Sequence, residues 1–314
     1  MTTSAREVAA NRSTPAGIGA ALAANVLWGL GNVLVAKVPL GGLGIAFHRL
    51  WMAAILYGIA LYARGGRLSV RSFRLGWLGA VAFAVDICAF FLAVKHTTLA
   101  DATTISALQP VVILFFAGAL FGERITRRHL VCTAVAIVGI VVVMRGSSET
   151  GLVTLFGEVM AFVALLAWAW YFIASKTARQ RLDTLEYMTV VMIVGCVLVA
   201  PLALATGQLT GDGEGGLGAD TFGWLLLVVV IPGSGHLLVN WAHEHTAISL
   251  SSLLTLLMPV ISTSAAAWWL DQPVNATQVV GIGIVLFALA IVILGDARSG
   301  RRTELLPVTE PMED

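Results

Sequence analysis

Charge is what this chain has least of. Only 12% of its 314 residues are charged, against 58% apolar, where a soluble domain carries about 25% charged. Basic and acidic residues nearly cancel, 19 against 18. The net charge of +1 says nothing about partners. Cysteine is also scarce. Cys88, Cys132 and Cys196 all fall in apolar runs, so neither a disulfide framework nor a zinc-ligand spacing follows. Walker A, His-Glu-x-x-His and Gly-x-Ser-x-Gly patterns are missing. Their absence removes direct ATP use through a P-loop, zinc-peptidase chemistry and the hydrolase elbow. No cofactor or resident metal is expected, and the three residues His243, Glu244 and His245 are too dissimilarly directed on a helix to make a metal site. Long polar segments are lacking too: the longest internal one, about 207–221, is Gly-rich and acidic and cannot fold as a domain.

What is present is membrane-length hydrophobicity. Mean hydropathy is +0.89, and a bilayer core needs ~20 apolar residues per helix. Ten such runs occur, at 17–36, 43–63, 75–95, 100–121, 129–145, 154–175, 186–206, 222–241, 248–270 and 277–296. Their length suits helices, not the ten-residue alternating strands of a barrel. The expected fold is an all-α integral membrane protein of ten transmembrane helices. Polar tails at 1–16 and 297–314 are expected to be disordered and cytoplasmic. The first run follows Arg6 and Arg12 and is too long for a signal-peptide core, so it reads as a retained helix. With ten spans, most of the 19 basic residues (Arg64 to Arg74, Arg124 to Arg128, Lys176 to Arg181 and Arg298 to Arg302 among them) share one side. The positive-inside rule makes that side, and both termini, cytoplasmic, in a multi-pass protein of the inner membrane. The loop bearing Asp212, Glu214 and Asp220 has no basic residue and is outer.

The chain also carries a weak copy of itself. His96-Thr97, Leu108 and Pro110-Val111 match His245-Thr246, Leu257 and Pro259-Val260 at an offset of 149, and the hydroxyl pairs Thr103/Ser252 and Ser106/Thr255 keep that offset. Gly76-Trp77-Leu78 matches Gly223-Trp224-Leu225, and Trp28 and Lys37 correspond to Trp168 and Lys176. The halves are 17–145 and 154–296. Five spans each is an odd number, which inverts one half relative to the other. Inverted repeats are the build of secondary transporters that hold their solute between the halves.

Gly122-Glu123-Arg124-Ile125-Thr126, Leu108-Gln109-Pro110, Gly157-Glu158 and Phe47-His48-Arg49 resemble the turns and helix motifs of the EamA family in the drug/metabolite transporter superfamily. The resemblance covers about 17–296. It implies transport of a small metabolite, commonly export of amino acids or related compounds, through a central cavity open to each side in turn. One departure is the second-half turn Asp271-Gln272-Pro273, with Gln272 where the family often has Glu.

Several residues are candidates to line that cavity. Asp86 lies near the middle of the third span, where a charge costs about 2.5–3.5 kcal/mol on insertion scales. It must face water, pair with a donor or hold a proton, and the last suits proton coupling. Arg49, with His48, can hold a carboxylate through two parallel hydrogen bonds, or pair with an internal acid or reach the headgroups. Asn25, Trp28 and Asn32 share one face of span 1. Trp168 and Tyr171 share one face of span 6. At the level of Asp86 the second half reads Pro232-Gly233-Ser234-Gly235-His236, a combination expected to unwind span 8 locally, with Ser234, His236 and Asn240 extending a polar lining. Pro110, Pro232 and Pro259 are candidate hinges. Glu123 is expected to cap the cytoplasmic turn beside Arg124, Arg127 and Arg128.

The reading is a secondary transporter, not an enzyme, moving a small organic solute outward by alternating access with the proton gradient as driver. Its partners are the solute, the lipid bilayer and protons, with no nucleic acid, and it works as a monomer or homodimer. A facilitative exchanger or uptake permease for a vitamin-like or nucleotide-sugar-like solute is the rival within transport. A lipid flippase or a membrane-embedded lipid enzyme is the rival from another class.

Overall fold

The structure is a computed structural model that describes residues 13–97, 99–145, 154–208, 217–269 and 274–304. The expected tail before residue 13, Asp212 and Glu214, the Asp271-Gln272-Pro273 turn and the last ten residues lie outside them. So do the side chains of 296–304.

All described secondary structure is helical. The first half contains α1 (Pro15–Lys37), α2 (Gly42–Ala63), α3 (Val70–His96), α4 (Leu99–Ser106), α5 (Gln109–Phe121) and α6 (Arg127–Arg145). The second contains α7 (Leu155–Arg179), α8 (Thr184–Ala205), α9 (Ala219–His245), α10 (Ile248–Leu254), α11 (Leu257–Trp269) and α12 (Ala276–Glu304). Among the described residues, eight segments are long and apolar enough to cross a bilayer, with α10 and α11 together forming one of them; α5 is a shorter apolar helix. Large apolar side chains such as Ile59, Phe115 and Trp268 point outward, at 65%, 79% and 83% exposure. A water-soluble surface would not carry so many, and lipid tails accept them.

Two departures from the sequence reading concern ends. Helix α12 continues to Glu304, past the expected end at 296. Lys176 and Arg179, read as loop cations, are buried in the last turn of α7.

The breaks lie elsewhere than expected. Helix α9 runs unbroken through Pro232, which corrects the expectation of an unwound segment there. Packing overrides local propensity. The indole of Trp28 donates to the Pro232 carbonyl at 3.2 Å and the Tyr57 hydroxyl donates to the Gly233 carbonyl at 2.9 Å. The helix is thereby pinned by α1 and α2 at its weakest point. The discontinuities fall instead in the fourth span of each half, at Ala107-Leu108 and Thr255-Leu256. Each lies one turn before a proline. Pro110 and Pro259 have no N–H for the carbonyls of Ser106 and Thr255, and their rings crowd those same carbonyls.

The halves interlock reciprocally. Helix α3 packs on α7 and α9 on α1, while α2 pairs with α8 and α6 with α12. The contacts match in detail. Thr14 caps α1 by accepting from Gly17 N at 3.0 Å, and its hydroxyl donates to the His245 carbonyl at 3.3 Å. Thr154 caps α7 by accepting from Gly157 N at 3.1 Å, and donates to the His96 carbonyl at 2.6 Å. A Cβ on Gly17 or on Gly157 would sit 2.6 Å from the respective carbonyl oxygen. Only glycine permits that approach of helix to helix, which is why both first helices open on Gly at this position.

Candidate functional site

Between the halves lies a cavity of about 80 Å³, several times the ~10–15 Å³ that one water needs by the same kind of measure. Its wall takes Trp28, Gly31, Asn32 and Val35 from α1, Arg49 from α2, and Phe83, Asp86, Ile87, Phe90 and Phe91 from α3. The second half adds Trp168 from α7, Pro232 and His236 from α9, and Met258 and Pro259 from α11; Ser106, Ala107 and Thr255 come from the helix breaks. Helical spacing explains the set: residues three and four apart on α3 share one face, which carries Phe83, Asp86, Ile87 and Phe90 together.

The site's charge is simple. Arg49 is buried, at 7% exposure, and Asp86 is half-buried. Neither makes a hydrogen bond or ion pair with any described residue. The Arg49 guanidinium lies 5.8 Å from the centre of the Phe91 ring, within cation–π range. Both groups therefore open into the cavity with their hydrogen-bonding capacity unused, one able to grip an anion and the other a cation.

Aromatic rings form the opposite wall. Trp28 and Trp168, equivalent residues of the two halves, meet edge to face at 5.0 Å. The His236 ring sits among Trp28 (4.9 Å), Phe83 (4.9 Å) and Trp168 (5.6 Å). Its Nδ1 is buried without a hydrogen-bond partner. Such a wall suits a flat or apolar group on a solute whose charged end reaches Arg49 and Asp86.

The structure thus gathers Asp86, Arg49, Trp28, Asn32, Trp168, His236, Pro232 and Pro259 on one surface. The other candidates lie off it. His48 accepts from Trp51 Nε1 at 2.9 Å. Asn25 donates to its own helix at Ala21, 2.7 Å away, and Ser234 bonds back to Val230 at 2.7 Å. Pro110 is buried in the first turn of α5. Tyr171 stacks behind Trp168 at 5.4 Å, and Asn240 lies a turn deeper than His236, donating to the Tyr171 hydroxyl at 2.6 Å. Asn32 is held by Ser262 at 3.2 Å, a bond from one half to the other.

Ser106 and Thr255 were legible as an equivalent pair of hydroxyls one turn before equivalent prolines, but their place in the wall was not read from that signal. Glu123 differs from expectation. It does not join the arginines of its own turn. Gly122 closes α5 in the left-handed conformation at φ 63°, reversing the chain so that the carboxylate points inward. There its two oxygens accept from Ile248 N at 2.7 Å and Ser249 N at 3.0 Å, capping α10 of the other half. Lys176 Nζ lies 3.5 Å from it and donates to the Thr246 carbonyl at 2.8 Å.

Among the described residues no cluster of three or more His, Cys, Asp or Glu could hold a metal.

Comparison with known proteins agrees with this architecture. The family model of the EamA-like transporter family matches residues 15–145 and again 155–294. The pseudopaline exporter CntI of Pseudomonas aeruginosa is 23% identical over 88% of this chain and 95% of its own. A protein of Streptantibioticus cattleyicolor named "Probable terminal-alkyne amino-acid exporter" is 26% identical over 85% of this chain and 90% of its own. One from Salmonella typhimurium named "Probable amino-acid metabolite efflux pump" is 24% identical over 65% and 71%. A protein of known crystal structure superposes with a TM-score of 0.74 at 19% identity, covering 90% of this chain and 99% of that one, a likeness of fold.

Proposed function

The chain belongs to the EamA-like transporter family, and from that premise we propose that it is a secondary active exporter of amino-acid-like, zwitterionic solutes. It is a multi-pass membrane protein, and its relatives are named as transporters and exporters, not enzymes. The observation that carries the finer reading is the pair Arg49 and Asp86. Two opposite charges on one wettable wall, neither hydrogen-bonded to nor ion-paired with any described residue, match a solute that brings its own carboxylate and ammonium. Arg49 takes the carboxylate through its planar fork, Asp86 takes the ammonium, and the Trp28–Trp168 wall takes the side chain.

The ten spans form two inverted five-helix repeats, with α4–α5 and α10–α11 each a single broken span. Both termini are cytoplasmic. The end bearing Arg64, Arg71, Arg124 and Arg127 is then the inner one. The reciprocal Thr14–His245 and Thr154–His96 contacts support the two-fold relation. Pro110 and Pro259 act as the hinges of alternating access. Pro232, pinned by Trp28, carries α1 and α2 along with α9. Asp86 exchanges solute ammonium for a proton, which couples export to the proton gradient. One chain holds both halves and works as a monomer.

Reconstitution tests this. Purified protein in liposomes, loaded with radiolabelled neutral amino acids, is expected to move them faster under an imposed pH gradient. Asp86→Asn is expected to lose the gradient dependence. Gradient-driven flux unchanged in Asp86→Asn would remove the coupling role, and no flux of any zwitterion would remove the function.

A further inference from the structure

Helix α12 is longer than a bilayer needs. Its apolar stretch, Ala276–Gly295, has 20 residues, about 30 Å at 1.5 Å per residue, which is the thickness of the hydrocarbon core. The helix then runs on to Glu304, so its last nine residues, 296–304, pass through the headgroup layer. Arg298, Arg301 and Arg302 fall in this extension. They continue a stripe that begins inside the membrane. Phe287, Ile291 and Leu294 are exposed on the outside of the bundle. Positions 287, 291, 294 and 298, and then 301 and 302, keep three- and four-residue spacing and so share a face. Asp296, two positions before Arg298, falls on another face.

The neighbouring helix repeats the arrangement. Helices α6 and α12 pack together in opposite directions. Gly139 lies against Gly281, where a Cβ would sit 2.6 Å from the Gly139 carbonyl oxygen, and Arg128 lies against Gly295, where a Cβ would run into its guanidinium. Arg128 thus serves the packing of the two helices, and the start of α6 stands beside the end of the apolar stretch of α12. Arg124 and Arg127 are exposed, and neither is ion-paired with any described residue. Leu130 and Val131, three and four positions after Arg127 and so on its face, are exposed as well. Glu123, the nearest acid in the sequence, is turned away to cap α10. Two adjacent helices therefore each set arginines at the end of an apolar, outward-facing stripe.

Arginines that merely meet water need no such alignment with apolar stripes. A phospholipid does, because its phosphate lies at the headgroup layer while its acyl chains run along the helix faces next to it. The planar fork of arginine matches phosphate oxygens through paired hydrogen bonds, and basic clusters at the membrane end of a helix attract anionic headgroups. We propose that the corner between the start of α6 and the end of α12 is a binding site for an anionic phospholipid of the surrounding bilayer. Its phosphate is held at Arg124, Arg127 and the Arg298–Arg302 turn, and its acyl chains lie along Leu130, Val131 and Leu294. That the leaflet is the inner one rests on the topology proposed above; the site itself depends neither on that topology nor on the solute.

Native mass spectrometry of the full chain in a neutral detergent tests this, with dioleoyl phosphatidylglycerol and dioleoyl phosphatidylcholine offered at equal concentration. Wild type is expected to hold phosphatidylglycerol in at least about tenfold excess. Arg298→Gln/Arg301→Gln/Arg302→Gln is expected to bring the ratio near one. Arg124→Gln/Arg127→Gln is expected to lower it severalfold, and decides the matter if the triple variant is not monodisperse. Arg64→Gln/Arg67→Gln/Arg71→Gln removes three exposed arginines from the segment joining α2 to α3 and is expected to leave the ratio unchanged. A ratio near one in wild type, or an unchanged ratio in both site variants, overturns the proposal. An equal fall in the α2–α3 variant overturns it too, because the preference is then one of net charge and not of place. Millimolar sn-glycerol 3-phosphate is expected not to displace the lipid; displacement would make the corner a site for a soluble phosphate and overturn the assignment to the bilayer.

Discussion

The least replaceable single residue outside the cavity is Glu123. Its carboxylate satisfies two of the four N–H groups that begin α10 and faces the ammonium of Lys176, with side-chain exposures of only 4% and 2%. Removing one partner of a buried pair leaves the other uncompensated, at about 3–5 kcal/mol. Glu123→Ala is therefore expected to lower the thermal midpoint in detergent markedly, and Glu123→Gln less. Equal midpoints for alanine variant and wild type would mean that the cap contributes nothing. This residue also marks where sequence reasoning stops. Gly122-Glu123 was visible as a turn, but the N–H groups it caps lie more than 120 positions away, and Lys176 looked like a loop cation because the apolar run ends at Ala174 and Thr177, Arg179, Gln180 and Arg181 follow. Asp86 and Arg49 were legible for the opposite reason. A charge in the middle of an apolar run has so few tolerable environments that its burial against a cavity nearly follows from its position.

Among the elements, the broken spans α4–α5 and α10–α11 differ most from what local rules suggested. Three prolines sit within apolar helices near the cavity, and propensity alone ranks Pro232, followed by Gly233 and Gly235, as the worst offender. Yet α9 is continuous, because Trp28 and Tyr57 hold its carbonyls, whereas Pro110 and Pro259 follow true breaks. Tertiary contacts decided which proline interrupts its helix, and those contacts are not encoded in the local window. Pro259→Ala restores the donor for the Thr255 carbonyl and is expected to extend α10 into α11. Transport by the variant should fall severalfold while folding and thermal midpoint are kept or improved, since alanine is preferred over proline by ~3 kcal/mol in a helix interior. Wild-type transport with a continuous helix, seen by hydrogen exchange at Leu256 and Leu257, would take the hinge role away from this break.

The whole molecule is two copies of one chain pattern wrapped around a small charged cavity. That duplication was readable because His-Thr, Leu and Pro-Val recur in order at one offset, and order is hard to produce by chance even in a Leu- and Ala-rich sequence. What it did not reveal is which equivalent positions meet: Tyr171 and Asn240 bond to each other at 2.6 Å, while their counterparts Gly31 and Phe91 line the cavity. The proposed function rests on recognition of a carboxylate and an ammonium together, through Arg49 and Asp86. Equilibrium binding to the purified protein tests this most directly, using a neutral apolar amino acid, its methyl ester and its N-acetyl derivative. Each derivative deletes one charge. The amino acid is expected to bind, both derivatives at least about tenfold more weakly, roughly 1.4 kcal/mol, and Arg49→Met is expected to abolish the preference for the acid over its ester. Equal binding of all three compounds, or an unchanged preference in Arg49→Met, would contradict it.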